Sequence, residues 1–147
     1  SGAGGAGNGG SHEGIFRGDM KIFGIGIDVI EVERIEEAME EFGDRFLERI
    51  FTTEERDYCL KQQRPAIHFA ARWAAKEAVS KAFGTGIGEL LGWQDMEITR
   101  LHSGEPKMIL HGRGREFVEE RGITQVKISL THARNYAAAN AVAMGEQ

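Results

Sequence analysis

The sequence predicts an α+β fold, a mainly antiparallel sheet with helices packed on it. Three observations carry that reading. The chain opens and closes on short strand-like runs. Between them lie several segments with apolar residues at helical spacing. The strand-like runs of the second half come in pairs joined by short polar turns, SGEP at 103–106 and HARN at 132–135.

Residues 20–28, MKIFGIGID, read as a buried strand, and Gly24 and Gly26 inside it predict close approach of another backbone. Over 31–42, Val32, Ile35, Ala38, Met39 and Phe42 recur at helical spacing among glutamates, which predicts an amphipathic helix. DRFLERI follows Gly43, and Thr52 with Glu55 three residues later is a capping-box signal for another helix. Pro65 opens the longest helical pattern, alanine-rich and apolar nearly all round, and Gly84 ends it. Such a helix is buried as a rule. A glycine-rich loop spans 84–92. Strands are expected at 93–101 and in KMIL, and a short helix at 115–122. A final strand pair is expected in VKISLT and YAAANAVAM, the alanines of the last leaving a helix open.

The chain has 147 residues, 18 Lys and Arg against 23 Asp and Glu, a net charge of −5 and one cysteine. Residues 1–19 hold eight of the 20 glycines and read as a flexible leader outside the fold, with 20–147 as a single domain starting at Met20. No apolar run approaches the roughly 18 residues that cross a bilayer. A lone Cys59 supports neither a disulfide framework nor a cysteine zinc site. The mild acidity argues against nucleic-acid binding. The expectation is a cytoplasmic protein with no membrane and no nucleic-acid partner.

Four features bear on chemistry. Asp28 ends the first strand, where a carboxylate at the sheet rim serves either as cap of the next helix or as a ligand. Glu77 and Lys81 stand i, i+4 on one face of the long helix; they form either a simple surface pair or a charged site on a buried helix, where unpaired charge is costly. The loop at 84–88, GTGIG, lacks the Gly-Lys-Ser/Thr of a Walker loop, and Gly24-x-Gly26 lacks the third glycine of a dinucleotide fingerprint. Its amides could cradle a phosphate, although a helix-ending turn needs the same residues. His132 ends a strand, as turn residues do. Cys59, Trp73 and Trp93 read as packing residues, and the remaining histidines show no zinc spacing.

Together the segments GIGIDVIEVERI, RFLERIFTTEE, ARWAAKEAVSKAFGTGIG, DMEI with SGEP, and SLTHARNYAAANAVA resemble the small 4′-phosphopantetheinyl transferases, the holo-acyl-carrier-protein synthase family, over nearly all of 20–144. The resemblance implies that family's α+β fold and transfer of 4′-phosphopantetheine from coenzyme A to a serine of apo-acyl carrier protein. Adenosine 3′,5′-bisphosphate leaves, and the setting is fatty-acid biosynthesis. It implies magnesium held by Asp28 and Glu77, and Lys81 facing the coenzyme A phosphates. Arg72 and His132 fall at the nucleotide end near the 3′-phosphate, and Gly84, Thr85 and Gly86 line the pocket. Glu77, directly or through a metal-bound water, is favoured over His132 as proton acceptor. The resemblance also implies a homotrimer with sites between subunits, and docking of the acidic carrier through Arg34, Arg45 and Arg49. Trp73 stands where phenylalanine is usual, Thr131 where serine is, and the first helix carries six glutamates beside Arg34. The competing readings are a magnesium-dependent hydrolase of nucleotides or coenzyme A, and a non-catalytic binding domain.

Overall fold

A computed structural model describes residues 20–146; the expected leader at 1–19 lies outside the described residues. In chain order the elements are β1 (Met20–Glu31), α1 (Val32–Phe42), α2 (Asp44–Ile50), α3 (Thr53–Leu60) and α4 (Pro65–Phe83). A 3-10 turn (Trp93–Asp95) leads to β2 (Met96–Arg100), β3 (Pro106–Leu110), α5 (Gly112–Arg121), β4 (Ile123–His132) and β5 (Tyr136–Glu146). The strands form an antiparallel three-stranded sheet in the order β1-β5-β4 and a separate antiparallel hairpin of β2 and β3. The α+β class holds, and YAAANAVAM is a strand.

The helices begin and end for local reasons. Thr52 accepts from the Glu55 amide, the Glu55 side chain accepts from the Thr52 amide, and α3 therefore starts on a reciprocal capping box. Pro65 stands at the first turn of α4, where its missing N–H costs nothing, and Gly84 ends the helix in the left-handed conformation at φ 79°. Boundaries elsewhere shift by a few residues. β2 starts only at Met96, because residues 93–95 form the 3-10 turn, and α5 starts at Gly112 rather than 115.

α4 is the axle of the molecule. Fourteen of its 19 residues are buried. It lies on one face of the three-stranded sheet, and that face is made of very small residues. On β5 the inward positions are Ala137, Ala139, Ala141 and Ala143, all nearly sealed from solvent. On β1 they are Gly24 and Gly26, paired in register with Ala143 and Ala141. A Cβ added at Gly24 would lie 2.0 Å from the Ala82 carbonyl oxygen, and one at Gly26 would lie 1.9 Å from that of Ala78. The expected close approach is therefore helix backbone against strand backbone.

One expectation for β1 is corrected. It is buried on one face only. Alternation puts Gly24, Gly26, Asp28 and Ile30 toward α4. Ile25, Ile27 and Val29 point away and are 69%, 70% and 63% exposed. The uninterrupted apolar run thus reflects two different faces, a helix-facing one and an outward one with no cover in the single chain.

The glycine contact generates a direct test. Gly26→Ala should destabilise the protein by about 3 kcal/mol, the upper end of overpacking costs. Gly88→Ala, at a position with nothing within 4 Å of the added methyl, should be close to neutral. Denaturant titration of the two variants measures the difference.

Candidate active site

The close approach determines where the functional side chains meet. Asp28 is two residues beyond Gly26 on the same face of β1, so its carboxylate emerges beside α4. There Lys81 reaches back across the contact: its Nζ donates to Asp28 Oδ1 at 3.1 Å and to the Ile27 carbonyl at 2.9 Å. Asp28 is not a helix cap. α1 starts at Val32, and Glu31 precedes it without a side-chain cap bond. The capping reading of Asp28 is thereby removed, and its part-buried carboxylate at the strand rim faces α4 instead.

Glu77 lies one turn before Lys81 and is half-buried. Burial pushes its carboxyl above the ordinary value, the negative charge of Asp28 adds to the rise, and Lys81 opposes it. Asp28, Glu77 and Lys81 therefore form one electrostatic group, drawn from residues about 50 apart in the chain. Among the described residues no set of three metal-ligating side chains comes together. The donor set offered here is two carboxylates. Hard oxygen donors in that number, with open positions for phosphate and water, suit magnesium.

Arg72 and His132 sit in a second cluster. Arg72 is buried. Its guanidinium lies 4.6 Å above the Tyr58 ring, its Nη1 donates to the His68 carbonyl at 3.4 Å, and its Nε is buried with no partner among the described residues. His132, at the end of β4, meets the His68 ring at 5.6 Å. The tyrosine and His68 were not among the predicted site residues. The i, i+4 spacing of His68 and Arg72 was the signal available in the sequence.

The glycine loop does not form an amide cradle at its start. The N–H of Gly84 donates to the Lys81 carbonyl, and those of Thr85 and Gly86 both donate to the Ser80 carbonyl. They close the end of α4, so Gly84, Thr85 and Gly86 can shape a pocket wall without offering these amides to a phosphate.

The lysine just before Glu77 proves to be structural. Lys76 turns about 100° away from Glu77 into the core, where its Nζ donates to Glu55 Oε1 at 2.8 Å, to the Ile50 carbonyl at 2.7 Å and to the Trp93 carbonyl at 3.1 Å. Burial pushes its pKa down, and Glu55 pulls it back. Glu55 also accepts from the Ile98 and Thr52 amides. All three ammonium protons and both carboxylate oxygens are used, so this pair ties α2, α3, α4, the 3-10 turn and β2 together. Cys59 is fully buried, and burial pushes its thiol up to about 12, which makes it an inert packing group. Trp73 and Trp93 pack against each other with ring centroids 4.5 Å apart and planes tilted by 35°, as packing residues do.

A strand carboxylate thus stands beside a helix Glu-x-x-x-Lys, on a helix seated directly on a glycine-bearing strand. The chain belongs to the 4′-phosphopantetheinyl transferase superfamily, which it matches over residues 24–141. It is 45% identical over 122 residues to a holo-[acyl-carrier-protein] synthase of Chlamydia trachomatis, covering 83% of this chain and 99% of that one. The crystal structure of the holo-[acyl-carrier-protein] synthase of Neisseria meningitidis superposes with a TM-score of 0.79 at 33% identity, covering 84% of this chain and 98% of that one. The Helicobacter pylori enzyme of that name, in complex with coenzyme A, superposes with a TM-score of 0.73 at 31% identity, covering 81% and 98%.

The buried ion pair is testable apart from catalysis. Lys76→Met should cost about 3–5 kcal/mol, because it leaves the Glu55 carboxylate buried and uncompensated. Adding Glu55→Gln should recover part of that loss, read as midpoints of urea unfolding.

Proposed function

We propose that this chain transfers 4′-phosphopantetheine from coenzyme A to a serine hydroxyl of an apo-acyl carrier protein, with magnesium, releasing adenosine 3′,5′-bisphosphate. The observation that carries the reading is the convergence of Asp28, Glu77 and Lys81 at the contact of β1 with α4. The likeness to holo-[acyl-carrier-protein] synthases, one of them in complex with coenzyme A, supports it.

The chemical problem is attack of a neutral hydroxyl on an anionic pyrophosphate. The acceptor serine belongs to the partner, so the chain needs no nucleophile of its own. Asp28 and Glu77 would hold magnesium, which when bound supplies positive charge to the pyrophosphate and its leaving oxygen. The Lys81 ammonium, half exposed and anchored on Ile27 and Asp28, places a fixed positive charge where negative charge develops. Anchoring two of its protons leaves a third to point outward at a phosphate oxygen. Glu77, directly or through a water, is the favoured acceptor of the serine proton. His132 is less suited, because it lies in the Arg72 cluster rather than beside Glu77. Arg72 and His132 hold the nucleotide end through its 3′-phosphate; the unpartnered buried Nε of Arg72 supports this assignment. Gly84, Thr85 and Gly86 wall the pocket.

The carrier docks through Arg34, Arg45 and Arg49, which are all exposed. The glutamates of α1 are exposed as well, and Glu36 is drawn aside by Arg64 at 3.3 Å. The working form is a homotrimer. The uncovered Ile25, Ile27 and Val29 on the outward face of β1 support it, since apolar surface of that extent on one sheet face marks an interface. The setting is the cytoplasm; no helix among the described residues is long and apolar enough to cross a membrane.

Glu77→Gln should fold normally and lose transfer by about 100-fold or more, with Asp28→Asn and Lys81→Ala also impaired. Incubation with coenzyme A, magnesium and an apo carrier, followed by mass spectrometry for the added phosphopantetheine, measures it. Normal transfer by folded Glu77→Gln removes Glu77 from its role, and coenzyme A breakdown without a carrier would mean hydrolysis instead. Steering through the arginines predicts that transfer at subsaturating carrier falls as salt rises from about 0.05 to about 0.5 M. Transfer at saturating carrier should change little, and a flat salt profile at low carrier would show that docking is apolar.

A further inference from the structure

The cluster around Arg72 contains one charged-group candidate that the transferase reading does not use. His68 lies one turn before Arg72 on α4. Its imidazole meets His132 of β4 edge-on, with centroids 5.6 Å apart and planes at 68°. On the other side it meets Tyr58 of α3 at 6.1 Å and 78°, the same ring that carries the Arg72 guanidinium. The charged groups acting on His68 come from three elements: Arg72 on α4, His132 on β4 and Arg100 on β2. No carboxylate is among them. On α3, Tyr58 lies under Arg72, burial keeps the Cys59 thiol protonated, and the Glu55 carboxylate is taken up by Lys76.

Two guanidinium groups beside a pair of imidazoles, with no carboxylate acting on His68 and a buried Arg72 N–H left unpartnered among the described residues, make a site suited to an anion. We propose that His68 is a third binding residue for the 3′-phosphate of coenzyme A, beside Arg72 and His132, and that it takes up a proton as that phosphate binds. The proposal rests on the placement of the nucleotide end at Arg72 and His132.

The sign follows from the surroundings. In the free protein, burial and then the positive neighbours hold His68 below its ordinary value, so it is neutral at neutral pH. A phosphate monoester brings a charge of about −1.5 to −2. An opposite charge within about 4–6 Å favours the protonated ring. Affinity for the 3′-phosphate therefore rises as pH falls through the bound-state value and levels off below the free-state value.

The test compares binding of adenosine 3′,5′-bisphosphate and adenosine 5′-monophosphate to the whole protein by calorimetry at pH 8.0 and 6.5. His68→Phe keeps an aromatic ring for Tyr58 and His132 to pack on, and the titration of the ligand itself cancels between the two proteins. Wild-type protein should prefer the bisphosphate, by a factor that grows several-fold, up to about tenfold for one pKa unit of coupling, on going to the lower pH. His68→Phe should show a weaker preference and a smaller rise. Proton NMR should show the His68 imidazole signal titrating at higher pH with the bisphosphate present, a readout that needs no variant. The same rise in both proteins, or a His68 titration unmoved by ligand, would overturn the proposal while leaving the assignment of Arg72 and His132 intact. A wild-type protein indifferent to the 3′-phosphate would overturn that assignment, and the role of His68 with it.

Discussion

Backbone-to-backbone contact between α4 and β1 governs the rest of the structure. Two helix carbonyls, of Ala78 and Ala82, sit where side chains of β1 would otherwise stand. Because Gly24 and Gly26 provide no Cβ, the helix axis comes close enough for Asp28 on the strand and Lys81 on the helix to share a hydrogen bond. Set further apart, the same residues would form two unrelated charged surfaces. The alanines facing α4 from β5 serve the same end, for they let the helix settle on the sheet without tilting away from β1.

A helix held so close along one side must also be fixed in rotation, since a turn of even one residue position, about 100°, would carry Glu77 out of reach of Asp28. The Lys76–Glu55 pair supplies that constraint. It is buried, fully hydrogen-bonded, and draws on α2, α3, the 3-10 turn and β2. Adjacent residues on one helix thus face different ways: Lys76 anchors inward on Glu55, and Glu77 faces Asp28 and Lys81. Such a pair contributes less to net stability than its short distances suggest, because removing both charges from water is expensive. What it provides is a single rotational setting of α4.

The two clusters on α4 differ in charge for a structural reason. Toward the C-terminal half, the helix meets the strand bearing Asp28 and forms a site rich in carboxylate. Toward the N-terminal half, it meets α3, β2 and the end of β4, where the Arg72 and Arg100 guanidiniums lie near His68 and His132. One helix therefore carries an acid-bearing end and an arginine-bearing end, and the proposed function assigns the first to magnesium and the second to a phosphate.

Much of this was legible in the sequence. The capping box at Thr52, the Pro65 and Gly84 ends of α4 and the glycine pair in β1 are local signals, and each led to the correct element because local backbone chemistry decides it. The i, i+4 pair Glu77 and Lys81 is likewise a helical certainty once the helix is known. The capping alternative for Asp28 and the burial of β1 on both faces are equally local readings, and tertiary contacts decided them otherwise; of the two readings of the glycine loop, the helix-ending turn holds at its start. Asp28 faces α4, Ile25 and Ile27 face outward, and the loop amides close their own helix. The sequence by itself determined the elements and the residue types available for chemistry, because propensity, capping and periodicity act over a few residues. Only the tertiary structure decided which charges meet: the distance between a strand carboxylate and a helix lysine some 50 residues later is set by the thickness of the side chains between the two backbones, and here there are none.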